Sequence, residues 1–137
     1  SDPPMFTGET AHRLNVEMQA NAYPQVTGRR YELSAELVAA AIEEIIADEG
    51  WQVLNRSGNL ASAKEFQIEA QALSPFFGFK DFVAIRVTDE DRSAFVDIRS
   101  KSGFGDADLG ANAARIAKFL DALDERATKE AGRQVKP

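Results

Sequence analysis

Arg86, Asp97, Arg99, Ser100 and Ser102 are the residues of this chain whose types and spacing could do chemistry together. Opposite charges close to one another can orient a bound molecule, and a serine hydroxyl becomes a nucleophile where a base takes its proton. A base is the missing part. His12, the single histidine, stands near the start of the chain and is expected in an exposed loop. Lys101 lies between the two serines, and an extended backbone points it to the other face. Asp81, Asp97, Asp106 and Asp108 can be imagined as a carboxylate cluster for acid–base work or a hard cation, but their spacing fits no known metal loop. Catalysis is therefore not expected, and neither is a cofactor or a metal. A hydrolase-type use of the Arg99–Asp108 segment is the alternative.

The pleat offers a structural account of the same residues. If Val83, Ile85 and Val87 share a face with Val96 and Ile98, then Arg86, Asp97 and Arg99 lie together on the opposite face. Asp97 would pair with Arg86 across the hairpin, a contact worth up to about 1 kcal/mol when exposed. Beyond Arg99 the chain continues Ser-Lys-Ser-Gly-Phe-Gly-Asp-Ala-Asp-Leu-Gly110. A phosphate cradle needs free amides at the following helix, whereas Asp106 or Asp108 is placed to cap them. A strand-to-helix corner is the better expectation. The aromatic group Phe76, Phe77, Phe79 and Phe82 is a second candidate, either lining an apolar pocket at the mouth of a curved sheet or filling core beneath a loop.

These residues need elements to hold them. Residues 1–28, broken by Pro3, Pro4, Gly8, Pro24 and Gly28, are expected to be an irregular lead-in or linker. A single domain is expected over 29–131, with a frayed tail over 132–137. Within it, Arg29–Leu33 predicts a short strand. Ser34 is an N-cap for a helix whose apolar face is Leu37, Val38, Ala41, Ile42, Ile45 and Ile46, and Gly50 ends it. Trp51–Asn55 reads as a strand and Ser57–Asn59 as a turn. Phe66, Ile68, Ala70 and Ala72 alternate with polar residues in the next strand. Strands through Val83–Val87 and Ala94–Ile98 flank a polar turn. A last helix is predicted from near Asp108 to about Lys129, with Ile116, Phe119, Leu120 and Leu123 as its stripe. The order is β-α-β4-α, an α+β fold in which two helices pack on an antiparallel sheet. It matches the TBP-like, helix-grip type, with a ferredoxin-like sheet as the alternative.

Composition limits the partners. The chain has 137 residues, 44% hydrophobic and 28% charged, as a single globular domain would. Its formal charge of −6 repels phosphate backbones and anionic lipid, so no nucleic-acid partner is expected. With no cysteine there is no disulfide, thiolate metal site or cysteine nucleophile. No apolar run reaches the roughly 20 residues of a spanning helix. The opening Ser1-Asp-Pro-Pro-Met5 has neither a basic nor an apolar leader region. It reads as a cut inside a longer protein or after a processed segment.

The phrases Phe77-Gly-Phe-Lys-Asp-Phe-Val-Ala-Ile-Arg-Val87, Val96-Asp-Ile-Arg-Ser-Lys-Ser102 and Gly105-Asp-Ala-Asp-Leu-Gly-Ala-Asn-Ala-Ala-Arg-Ile116 carry a resemblance. They resemble DUF1499, a bacterial and plastid family of unknown function, over about Tyr23 to Leu123. Arg99, Ser100, Ser102, Gly105, Asp108, Gly110, Asn112, Arg115 and Ile116 match its pattern. Gly103 stands where an arginine is usual and Ala107 where a serine is usual. The resemblance implies no activity. It implies a domain that follows transmembrane helices or a lipoprotein-type signal and faces the periplasm at the bacterial inner membrane, with the cytoplasm as the alternative. The expected function is a non-catalytic ligand- or protein-binding module of a membrane-associated protein, or else a purely structural ectodomain. Its expected partner is an apolar or amphipathic small molecule or a membrane protein. Arg86, Asp97, Arg99, Ser100, Ser102, Asp108, Asn112, Arg115, Phe77 and Phe79 form the candidate binding set.

Overall fold

A computed structural model of the chain describes residues 27–73, 80–103 and 109–135. The first strand, β1 (Thr27–Tyr31), leads into Ser34, which starts helix α1 (Ala35–Glu49) by accepting the Leu37 amide on its Oγ. Gly50 ends the helix in the left-handed conformation, φ 73°, which costs a residue without Cβ little. Strand β2 (Gln52–Asn59), a single-turn helix α2 (Leu60–Ala63) and strand β3 (Glu65–Leu73) follow. Strands β4 (Lys80–Asp89) and β5 (Ala94–Ser102) form a hairpin, and helix α3 (Leu109–Val135) completes the order.

The strands make one sheet in the order β1-β5-β4-β3-β2, and every neighbouring pair is antiparallel. Both long helices cover one face. Ile68, Val83, Ile85, Val87, Val96 and Ile98 of that face meet Val38, Ile42, Ile45 and Ile46 of α1 and Ile116, Phe119, Leu120 and Leu123 of α3. This is the expected α+β architecture. The run of consecutive antiparallel neighbours from β2 to β5 differs from the two β-α-β halves of the ferredoxin-like alternative.

Local expectations are corrected in two places. Ser57–Asn59 is not a turn: it stays paired with Glu65–Gln67, and the reversal is made by α2 instead. Gly58 (φ 85°) lies where a Cβ would strike the Glu65 carbonyl oxygen, and Asn59 caps α2 by accepting the amides of Ala61 and Ser62. Both residue types signal a turn, but here they serve a close strand approach and a helix cap. The last helix also runs past Lys129 and Gly132 to Val135, with Glu130 bonded to Arg133 and Gln134 on its own surface.

Candidate functional site

The sheet face away from the helices carries the charged ladder. Arg86 stands directly opposite Asp97, its Nε 3.0 Å from Asp97 Oδ2, as the alternation predicts. Asp97 also accepts from Arg99 Nη2 at 3.4 Å, and Glu65 lies 3.6 Å from the other side of Arg86. Arg86 is half-exposed, while Arg99 is buried. Glu69, on the same face of β3, is buried as well. Burial pushes its carboxyl above the usual range, against a hydrogen bond from Asn55 that lowers it. Burial likewise lowers the Lys101 ammonium.

The helix-facing side holds a different set. Ser100 is buried in line with Val96 and Ile98, and its Oγ donates to Asn112 Oδ1 at 2.6 Å. Asn112 Nδ2 donates to Ser102 Oγ at 3.1 Å. One turn on along α3, Arg115 Nη1 donates to Asn112 Oδ1 at 2.8 Å and to Ser100 Oγ at 3.3 Å. Its Nη2 reaches Asp81 Oδ2 at 2.9 Å, and the other oxygen of Asp81 accepts the Gly103 amide at 3.4 Å. Asp81, Ser100 and Asn112 are buried, and only a tenth of the Arg115 side chain is exposed. The result is a polar bracket fastening the start of α3 to the ends of β4 and β5.

The sheet itself separates the predicted set. Arg86, Asp97 and Arg99 lie on one face, and Ser100, Ser102, Asn112 and Arg115 on the other. Asp81 and Asp97 are also on opposite faces, so the imagined carboxylate cluster does not assemble there. Among the described residues no three His, Cys, Asp or Glu side chains come together as a metal group. Phe77, Phe79 and Asp108, with Phe76, Asp106 and His12, lie outside the described residues.

Beside the bracket runs an open groove of about 470 Å³ between the C-terminal end of α1, Leu73 of β3 and the first half of α3. Trp51 stacks on Phe119 there, centroids 5.6 Å apart and planes 15° apart. Leu73 is 66% exposed at the rim, and Ala111 and Ala114 leave the helix side shallow. Lys118, largely exposed, reaches Glu49 only at 3.5 Å. A second groove, between α1 and the C-terminal half of α3, has Arg126 at its rim, bonded to Glu44 and Asp48 at 2.6 and 2.5 Å.

The family model described as "Protein of unknown function (DUF1499)" matches residues 1–123. The chain belongs to the DUF1499 family. No curated protein matches it. Among solved structures it is similar to the vertebrate conserved region of human METTL16, at 13% identity and TM-score 0.55, covering 74% of this chain and 98% of that one. It is also similar to a TBP-like protein from Parabacteroides distasonis, at 10% identity and TM-score 0.49, covering 79% and 94%. At these identities the likeness concerns the fold alone.

The DUF1499 pattern can now be placed in space. Ser100, Ser102, Asn112 and Arg115 make the bracket, Ile116 packs in the core, and Arg99 stands on the other face. At Gly103, a departure from the expected pattern, a Cβ would run into the Lys80 carbonyl oxygen, so β5 approaches β4 closely there. Sequence reasoning missed Asp81 as the partner of Arg115. A signal was there: Asp81 shares the alternation of Val83, Ile85 and Val87, which puts a carboxylate on a core-facing position. It also missed Trp51 as groove wall, because an isolated aromatic at a strand start reads as ordinary core.

Proposed function

We propose that this chain is a non-catalytic binding module that takes an amphipathic small molecule in the groove beside the bracket. The observation that carries the reading is the half-buried Trp51, backed by the buried Phe119 on which it stacks, on the wall of a groove rimmed by the exposed Leu73. An apolar body on that wall gains the free energy of leaving water, about 25 cal/mol per Å² of area covered. Lys118, held to Glu49 by one long contact, is the cation within reach of an anionic head group. A volume near 470 Å³ lies within the range of small-molecule sites.

The hydrolase alternative finds no support in the bracket. Ser100 is fully buried, and its hydroxyl donates to Asn112, an amide oxygen that cannot serve as a base. On the proposed reading the module works beside a membrane, at the periplasmic face of the bacterial inner membrane, where amphipathic molecules are at hand. The family resemblance supports that placement. No described helix is long and apolar enough to cross a membrane.

Native mass spectrometry of protein purified without detergent tests the proposal. The expected spectrum shows one amphipathic molecule retained per chain and lost in Leu73→Asp. A bare chain that also fails to retain an added fatty acid would count against a small-molecule site and leave a protein partner as the better reading.

A further inference from the structure

The two edges of the sheet are protected to different degrees. β1 carries Arg29 and Arg30, held by Asp124 at 2.5 Å and by Glu90 at 2.7 Å. Charges on an edge strand oppose pairing with another chain. β2 is longer and contains no Lys, Asp, Glu or Pro. Its one charge, Arg56, is turned onto α1 and bonded twice to Glu43 at 2.8 Å. Every β2 residue except Val53 is exposed. The strand therefore offers backbone donors and acceptors along an edge whose single charge, Arg56, is already paired with Glu43.

Its side chains and surroundings add a second observation. Leu54, 43% exposed, is the extra residue where the register shifts between Val53 and Asn55. Near the other end of the strand a shallow groove lies beside Gly58, with Ala39, Ala40, Leu60 and Phe66 among its walls. An apolar knob at one end and an apolar hollow at the other are matched twice by a two-fold antiparallel pairing. The geometry points to a homodimer in which β2 pairs with β2 of a second copy about a dyad at Arg56, joining the two sheets. In that register Leu54 comes opposite the partner's Gly58, at the mouth of the partner's groove, and Asn55 comes opposite the partner's Ser57. The two Arg56 side chains meet near the dyad, each matched by a Glu43, so charges alternate there.

The contact is small. A single strand pair with two leucines falls below the roughly 1,600 Å² of a standard interface, so the dimer is weak and concentration-dependent. The charge of −6 on each copy opposes it at low salt, and screening strengthens it.

Sedimentation equilibrium over a concentration series, at low and moderate salt, tests this. The wild-type chain is expected to show a monomer–dimer equilibrium that tightens with salt. Leu54→Lys is expected to weaken it by about tenfold or more. Thr128→Lys, the same charge change on the exposed part of α3, is expected to leave it unaltered. Arg56→Cys in this cysteine-free chain is expected to form a disulfide-linked dimer on oxidation, since directly opposed residues of paired strands lie about 4.5–5.5 Å apart. A wild-type monomer at every concentration, or equal weakening by both lysine variants, would overturn the proposal. Far-UV circular dichroism confirms that the variants are folded.

Discussion

Arg115 places both of its terminal nitrogens inside the protein, on Asp81, Asn112 and Ser100. A buried ion pair contributes little beyond an apolar replacement, but removing one partner strands the other charge. Asp81→Ala is therefore expected to cost about 3–5 kcal/mol, and Asp81→Ala with Arg115→Met less than the two single changes summed. Urea unfolding of the three variants measures this; additive losses would mean that the two residues act separately. At this scale the sequence was legible wherever alternation sets the face. Val83, Ile85 and Val87 fix Arg86 opposite Asp97, and that pair is present. Alternation alone does not say which residue of α3 comes down on a strand. The approach of Arg115 to Asp81 thus depends on tertiary packing, and the parity of Asp81 was the available hint.

At the scale of elements, polar side chains fasten α3 to the sheet at two points among the described residues. The bracket holds its first turns, and Asp124 holds its second half by accepting from Tyr31 Oη at 2.6 Å and from Arg29. Burial first, and then the Asp124 carboxylate, push the Tyr31 phenol well above its ordinary range. A raised folded-state value contributes stability below the unfolded value, about 10, and loses it as pH rises through the folded one. Tyr31→Phe is expected to cost about 1–2 kcal/mol at neutral pH, and the gap to the wild-type chain should close in the alkaline range. Thermal unfolding at several pH values checks this; a gap that does not shrink as pH rises past about 10 would contradict it. Both long helices were legible because their apolar stripes and the Ser34 and Gly50 caps agree. The β2–β3 connection was not. Gly58 and Asn59 give the same local signal for a turn as for a strained strand end followed by a cap, and only pairing with Glu65–Gln67 distinguishes them.

For the whole molecule, one face of the sheet is fully used by two helices, and the family motif is divided by that sheet. Ser100, Ser102, Asn112 and Arg115 secure the fold, so the proposed binding falls to surfaces beside them. The groove beside α3 joins parts far apart in sequence: Trp51 after α1, Leu73 at the end of β3, and Ala114 and Phe119 on α3. No periodicity within one element could have revealed it. Trp51 is the single tryptophan of the chain, so the groove carries its own fluorophore.

Titrating Trp51 fluorescence with straight-chain fatty carboxylates, kept below their micelle concentrations, tests the binding role most directly. The account predicts a saturable change whose affinity grows with chain length until the groove is filled, and which disappears in Ala114→Phe. An emission indifferent to every carboxylate, or an equal response in Ala114→Phe, would contradict it.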